Sequence, residues 1–121
     1  MKYILLVHHS EDVLNALGEV ERASMLEESV RLANQLHQKG QYFDAAPLQP
    51  TATATCVKVR DGQTLVTDGP FAETREQLGG YFLIDASDLD EAMSIARRIP
   101  GARIGTVEIR PVRQVAGLPS L

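Results

Sequence analysis

The chain has one cysteine, no long apolar run and no basic excess, and each shortage removes a class of function. Cys56 alone cannot form an internal disulfide, so the cytoplasm is the expected compartment. It falls in a β-like run without a Cys/His partner motif and reads as a buried structural thiol rather than a nucleophile. The opening Met1–His8 is apolar too briefly to span a bilayer, and no small-residue cleavage site follows it. Neither a membrane span nor a signal peptide is expected. Lysine and arginine number 12 against 16 acidic residues, for a net charge of −4, with the signs mixed along the chain. No basic patch emerges to neutralise phosphates, so no nucleic-acid partner is expected. A metal-binding pattern is missing too. His8-His9 is not a metal motif by itself, and Glu73 and Glu76 lack a third ligand at fixed spacing. No metal and no cofactor are expected.

What remains is an ordinary globular composition, 44% hydrophobic and 23% charged over 121 residues, enough for one domain spanning 1–121. Tyr3 to Val7 is apolar at every position, as in a central strand covered on both faces. From Glu19 to Lys39 the spacing predicts a helix with Met25, Leu26, Val30, Ala33, Leu32 and Leu36 along one stripe. Ser29 lies near the middle of that stripe, and Gly40 stops the helix. Gln41 to Leu48 reads as a second strand. Thr55 to Arg60 and Gln63 to Thr67 read as a hairpin around Asp61-Gly62. Residues 68–80 read as a loop and Tyr81 to Ala86 as an apolar strand. Ser87 or Asp88 caps a second helix, with Glu91 three residues after Asp88, and Leu89, Ala92, Met93, Ala96 and Ile99 form its buried face. Thr106 to Val112 alternates as a last strand, and the tail after Arg113 is expected to run over the surface or a partner.

The expected fold is α+β: a ferredoxin-like β-α-β-β-β-α-β order with an antiparallel sheet and two helices on one face. Nothing in the chain is left to cover the sheet's other face, although its strands carry apolar residues on both sides. A second copy packed sheet to sheet is the simplest cover, so a homodimer is expected.

The densest set of conformational specialists is Thr67-Asp68-Gly69-Pro70-Phe71, followed by Glu73, Glu76 and Leu78-Gly79-Gly80-Tyr81. This segment resembles the signature of the DGPF proteins, a branch of the YCII-related superfamily. Met1–Val7, Leu48-Gln49-Pro50, Val59–Gly62, Asp88–Ala92 and Val107–Val112 are similar to that family as well. The resemblance implies a dimeric α+β barrel. It implies a candidate enzyme acting on a small molecule, with a histidine and an acidic residue as the working pair; one relative type is a dehydrochlorinase of chlorinated aromatic breakdown. DGPF proteins are often encoded beside, or joined to, sigma-factor-like regulators. One departure bears on mechanism. Counting back from Gly40, with Ala46-Pro47 standing for the family's Gly-Pro, Ser29 takes the place of the helix histidine.

The candidate chemistry centres on Asp68, as general base or turn-former, beside Gly69 with its unusual backbone angles and Pro70, which fixes the chain that follows. His8 and His9 end the first strand pointing to opposite sides, and one of them is expected to face the Asp68 loop and supply the missing base. Glu73 and Glu76 form an acidic turn. Arg60 and Arg110 are candidates for receiving a carboxylate bidentately, and Glu108 for pairing with an arginine across strands. Phe71 and Tyr81 flank the loop as core or interface anchors, Tyr81 with a hydroxyl to offer. Ser29 either bonds back to the carbonyl of Met25 or lines a cavity between helix and sheet. His37 reads as a hydrogen-bonded residue near a helix C-terminus. Three functions stay open: a cofactor-free, lyase- or isomerase-like acid/base enzyme, a non-catalytic small-molecule-binding module of a sigma-factor-linked regulatory system, and a structural or interaction protein.

Overall fold

The structure, a computed structural model, describes residues 1–119. Its centre is a four-stranded antiparallel sheet in the order β2-β5-β1-β6, formed by β1 (Lys2–His9), β2 (Tyr42–Pro47), β5 (Gln77–Asp85) and β6 (Gly105–Pro111). Counting only these four strands along the chain, the order is second-third-first-fourth, the ferredoxin-like arrangement. The α+β architecture expected from the sequence is the one observed, with four strands between α2 and α3 where the expected β-α-β-β-β-α-β order has three. Two long-range consequences of strand alternation place everything else. Tyr3, Leu5 and Val7 turn one way with Phe82 and Ile84 and bury under the helices α2 (Glu19–Gln38) and α3 (Leu89–Ala96). Ile4, Leu6 and His8 turn the other way, with Tyr81 and Leu83 of β5 and Thr106, Glu108 and Arg110 of β6 beside them in register.

The helices cover that first face unevenly. α3 is capped by Asp88, whose carboxylate accepts from the Glu91 amide at 2.9 Å, and Glu91 in turn accepts from the Ser87 amide at 3.0 Å. Its buried residues are Ala92, Ile95 and Ala96, with Ile99 buried beyond its end. Leu89 and Met93, expected on that face, are exposed. Ala92, Ile95 and Ala96 face the core, and Leu89 and Met93 turn outward. In α2 only Leu32 and Leu36, in the second half, are buried. Leu26 and Val30 stay 53% and 52% exposed, so the helix stands away from the sheet ahead of Leu32.

Three local findings differ from expectation. A short helix, α1 (Glu11–Ala16), follows β1, capped by the Ser10 hydroxyl accepting from the Val13 amide at 3.3 Å. β5 begins at Gln77 rather than Tyr81, so Leu78-Gly79-Gly80 belong to a strand and not to the loop. The hairpin β3 (Thr55–Arg60) and β4 (Gln63–Asp68) forms a separate two-stranded ribbon, in which each pairs only with the other among the described residues. Its turn places Asp61 at φ 52° and Gly62 at φ 73°, the doubly positive pattern of a type I′ hairpin. Val57 and Val66 face each other across this ribbon and are each 63% exposed. The tail is exposed from Arg113 to Pro119, and Ser120 and Leu121 lie outside the described residues. Among the described residues, no helix is long and apolar enough to cross a membrane.

Candidate functional site

A cavity of about 480 Å³ lies between α2 and the sheet. Its wall is built from α2 residues at helical spacing, Arg22, Met25, Leu26, Ser29, Val30 and Ala33, over Val7, Ala45, Gly80 and Phe82 of the sheet and Ile99 to Gly101 beyond α3. The gap exists because the sheet offers glycine and alanine where the helix stands off. Its size falls in the range of small-molecule sites, roughly 300–1,000 Å³.

His9 is the titratable group that joins this cavity to the sheet. It lies two residues after Val7 and therefore on the helix side of β1. Between Val7 and His8 the β1–β5 register shifts: Val7 faces Gly80 and His8 faces Leu78, which leaves Gly79 as the extra residue of a bulge. The imidazole of His9 occupies the space beside that bulge. A Cβ built on Gly79 would stand 2.0 Å from His9 Cε1, so any side chain there displaces the ring. The Gly79 carbonyl accepts from the Leu48 amide at 2.8 Å, which fixes the bulge from the β2 side.

Beyond the ring is a second, small cavity of about 70 Å³, lined in part by His9, Glu11, Leu14, Thr51 and Gly79. The Glu11 amide donates to the Gln77 side-chain oxygen at 2.9 Å. The Glu11 carboxylate accepts from the Thr51 amide, at 3.3 Å to one oxygen, and from the Thr51 hydroxyl. These contacts tie the chain after His9 to β5 and to the 3-10 turn Thr51–Thr53. Loss of solvation on burial pushes the imidazole below its ordinary 6.5; the Glu11 and Glu76 carboxylates oppose that push, and His8 adds to it. His9 is accordingly neutral at pH 7, a proton acceptor in an apolar wall.

The other sequence candidates scatter. His8 points to the open sheet face, where Nε2 lies 3.0 Å from Glu108 Oε1. Glu108 thus pairs with a histidine and not with an arginine. Asp68 ends β4, exposed, and shares no hydrogen bond with either imidazole among the described residues. The amide of Gly69, at φ 90°, donates to the Ala54 carbonyl at 2.7 Å, and the Cys56 thiol donates to the Gly69 carbonyl at 3.3 Å. Cys56 is half-buried rather than buried. Asp68 and Gly69 thus close the base of the ribbon, and none of Asp68, Gly69, Pro70 and Phe71 is among the residues lining either cavity. Phe71, at 86% exposure, anchors no core. Glu73 is exposed, and Glu76 accepts from the Thr106 hydroxyl at 2.9 Å. Arg60 sits at the ribbon tip, donating to its neighbour's carbonyl on Val59 at 3.0 Å; Arg110 is exposed on the open face.

Two candidates do line the large cavity. Ser29 donates to the Met25 carbonyl at 3.1 Å, as the back-bonding alternative requires, while also forming part of the wall. Tyr81 borders it as well, but its side chain turns to the open face of the sheet, where the hydroxyl donates to Asp44 Oδ2 at 2.6 Å; that bond raises the phenol above its ordinary 10.0. His37, at the far end of the cavity, packs edge-on against Tyr42 with ring centroids 6.2 Å apart. Sequence reasoning missed Glu11, Arg22 and Gly79. Arg22 was legible as a member of the Arg22–Met25–Ser29–Ala33 stripe, and Gly79 as one of two adjacent glycines in a strand-like apolar context.

A ferredoxin-like α+β domain with a helix–sheet cavity and an adjoining ribbon is the class this geometry defines. The YCII-related domain model matches residues 1–116, and the chain belongs to that family. It is 36% identical over 114 residues to an uncharacterised protein of Rhizobium meliloti (strain 1021), a match covering 93% of this chain and 92% of that protein.

Proposed function

We propose that the protein acts on a small apolar molecule by acid/base chemistry, with the helix–sheet cavity as its site and His9 as the proton acceptor. The observation that carries this reading is the half-buried imidazole, pushed below 6.5 by desolvation, in the wall of an apolar cavity. Glu11 and Glu76 take the acidic role, favouring the protonated imidazole once it has formed. Asp68, the sequence candidate for base, is left with the turn-forming role at the ribbon base. No cofactor is required by this chemistry.

We also propose that the working form is a cytoplasmic homodimer. Supporting it are the half-exposed Ile4, Leu6 and Leu83 on the uncovered sheet face, the exposed valines of a ribbon that two strands alone hold weakly, and the absence of a disulfide from a one-cysteine chain.

A generic probe tests the base. 5-Nitrobenzisoxazole loses its C3 proton to a base while its N–O bond breaks, releasing a coloured cyanonitrophenolate. The wild-type protein is expected to accelerate this with a pH midpoint below 6.5, and His9→Gln to lose about 10²-fold. Equal rates for the two proteins would remove the base role. Displaceable binding without His9-dependent turnover would leave the cavity as a non-catalytic binding module, the form a sigma-factor-linked accessory protein would take.

A further inference from the structure

We infer that the cavity takes a small apolar carboxylate, with the anionic end held by Arg22. This deepens the small-molecule reading above and rests on it. Arg22 is the one charged side chain in the wall, which carries not one aspartate or glutamate, in a chain where acidic residues outnumber basic ones by 16 to 12. The asymmetry is local, and it selects an anion.

Arg22 is also built to bind one. Its Nη1 donates to the carbonyls of Leu17, at 2.7 Å, and Asn15, at 3.3 Å, which holds the guanidinium at the junction of α1 and α2. Among the described residues no carboxylate pairs with it; the ion pairs are Met1–Asp85, His8–Glu108 and Arg103–Glu28. Nor does Nε or Nη2 find an acceptor there. A guanidinium anchored through one nitrogen leaves its Nε–Nη2 edge presented, and that edge matches the two oxygens of a carboxylate.

The remaining wall decides the rest of the ligand. Val7, Leu14, Met25, Phe82, Ile99 and Ile104 offer hydrocarbon and no hydrogen bonds. A peptide segment would bury unpaired amides against them, which is costly. A nucleotide would bring several negative charges to a single arginine. A monocarboxylic acid with one aryl or branched-alkyl group satisfies both ends and fits about 480 Å³.

The test is a matched pair, 3-phenylpropionate and 3-phenylpropanamide, titrated into the full chain by calorimetry. The acid is expected to bind at least tenfold tighter than the amide. In Arg22→Gln that ratio falls to near one, and in Arg22→Lys part of it returns. Ser29→Phe, which fills the cavity, abolishes binding of both, with circular dichroism checking each variant's fold. Should Arg22→Gln fail to fold, the wild-type ratio between 0.05 and 0.5 M salt decides instead, since an ion-paired acid weakens with salt and the amide does not. Equal affinities for acid and amide in the wild type overturn the carboxylate assignment, while loss of both in Ser29→Phe still supports the cavity as the site. Binding of neither probe overturns the carboxylate assignment; if His9-dependent turnover of the benzisoxazole survives, the site itself stands.

Discussion

Gly69 and Gly79 stand ten positions apart in the same signature segment and are glycine for opposite reasons. Gly69 adopts φ 90°, a conformation that side chains resist, yet a Cβ there would meet nothing within 4 Å. Gly79 has no positive φ, but the space of its Cβ is already taken by the His9 ring. One glycine serves the backbone and the other serves a neighbouring side chain. The difference separates the two halves of the signature. Thr67–Phe71 shapes the ribbon base, away from both cavities, whereas Leu78–Tyr81 shapes the wall around the imidazole.

Substitution breaks the two halves differently. Gly79→Ala forces a methyl into the His9 ring and is expected to cost about 1–3 kcal/mol of stability. It also swings the imidazole toward solvent, so the His9 titration moves back up toward 6.5 and benzisoxazole turnover is lost. Gly69→Ala carries the left-handed penalty alone, about 1–2 kcal/mol, with the His9 titration unchanged. Urea unfolding joined to histidine NMR reads both quantities, and a His9 shift in Gly69→Ala would collapse the distinction.

Acid sharpens the same contrast. Because the folded-state pKa of His9 lies below its unfolded 6.5, the unfolded chain binds more protons between the two values. His9's contribution is therefore fully present above 6.5 and is lost as pH falls toward the folded value. His9→Gln removes that part of the slope, seen as a smaller drop in urea midpoint between pH 7 and 5. At the alkaline end the sign reverses. Tyr81, raised above 10.0 by its bond to Asp44, supports the fold below 10.0 and loses that support as pH climbs past it; Tyr81→Phe flattens the alkaline limb. The smallest effect belongs to Phe71→Ser. With the ring 86% exposed, it is expected to shift the stability of the single chain by less than about 0.5 kcal/mol. A larger loss that depends on protein concentration would instead reveal the ring buried between copies.

Much of the fold was legible because local signals agreed with it. The apolar run Tyr3–Val7, the Asp61-Gly62 turn and the Asp88–Glu91 cap each specify their element with a few residues. α1 was not legible. Its six residues bury nothing, and its start is held by the Ser10 hydroxyl and by Gln77, 66 positions from Glu11. The early start of β5 was hidden as well, because Leu78-Gly79-Gly80 has little strand preference of its own and is extended by its partners on both sides. For the site, alternation assigned His8 and His9 to opposite faces but not which face carried the cavity. That depends on where α2 leaves the sheet, a packing outcome that no local pattern encodes. The conspicuous residues of the signature drew attention to Asp68, while the quieter pair of Gly79 and Arg22 does the shaping and the charge selection.

The most direct test of the central claim is where a bound probe is felt. Backbone amide and methyl spectra of the labelled full chain, titrated with 3-phenylpropionate, resolve the two halves of the signature in one experiment. The account predicts shifts at Val7, Leu14, Met25, Gly79, Ile99 and the His9 ring, with Asp68 to Phe71 unmoved. Shifts concentrated at Asp68 to Phe71, with the His9 ring and the α2 methyls silent, would contradict it.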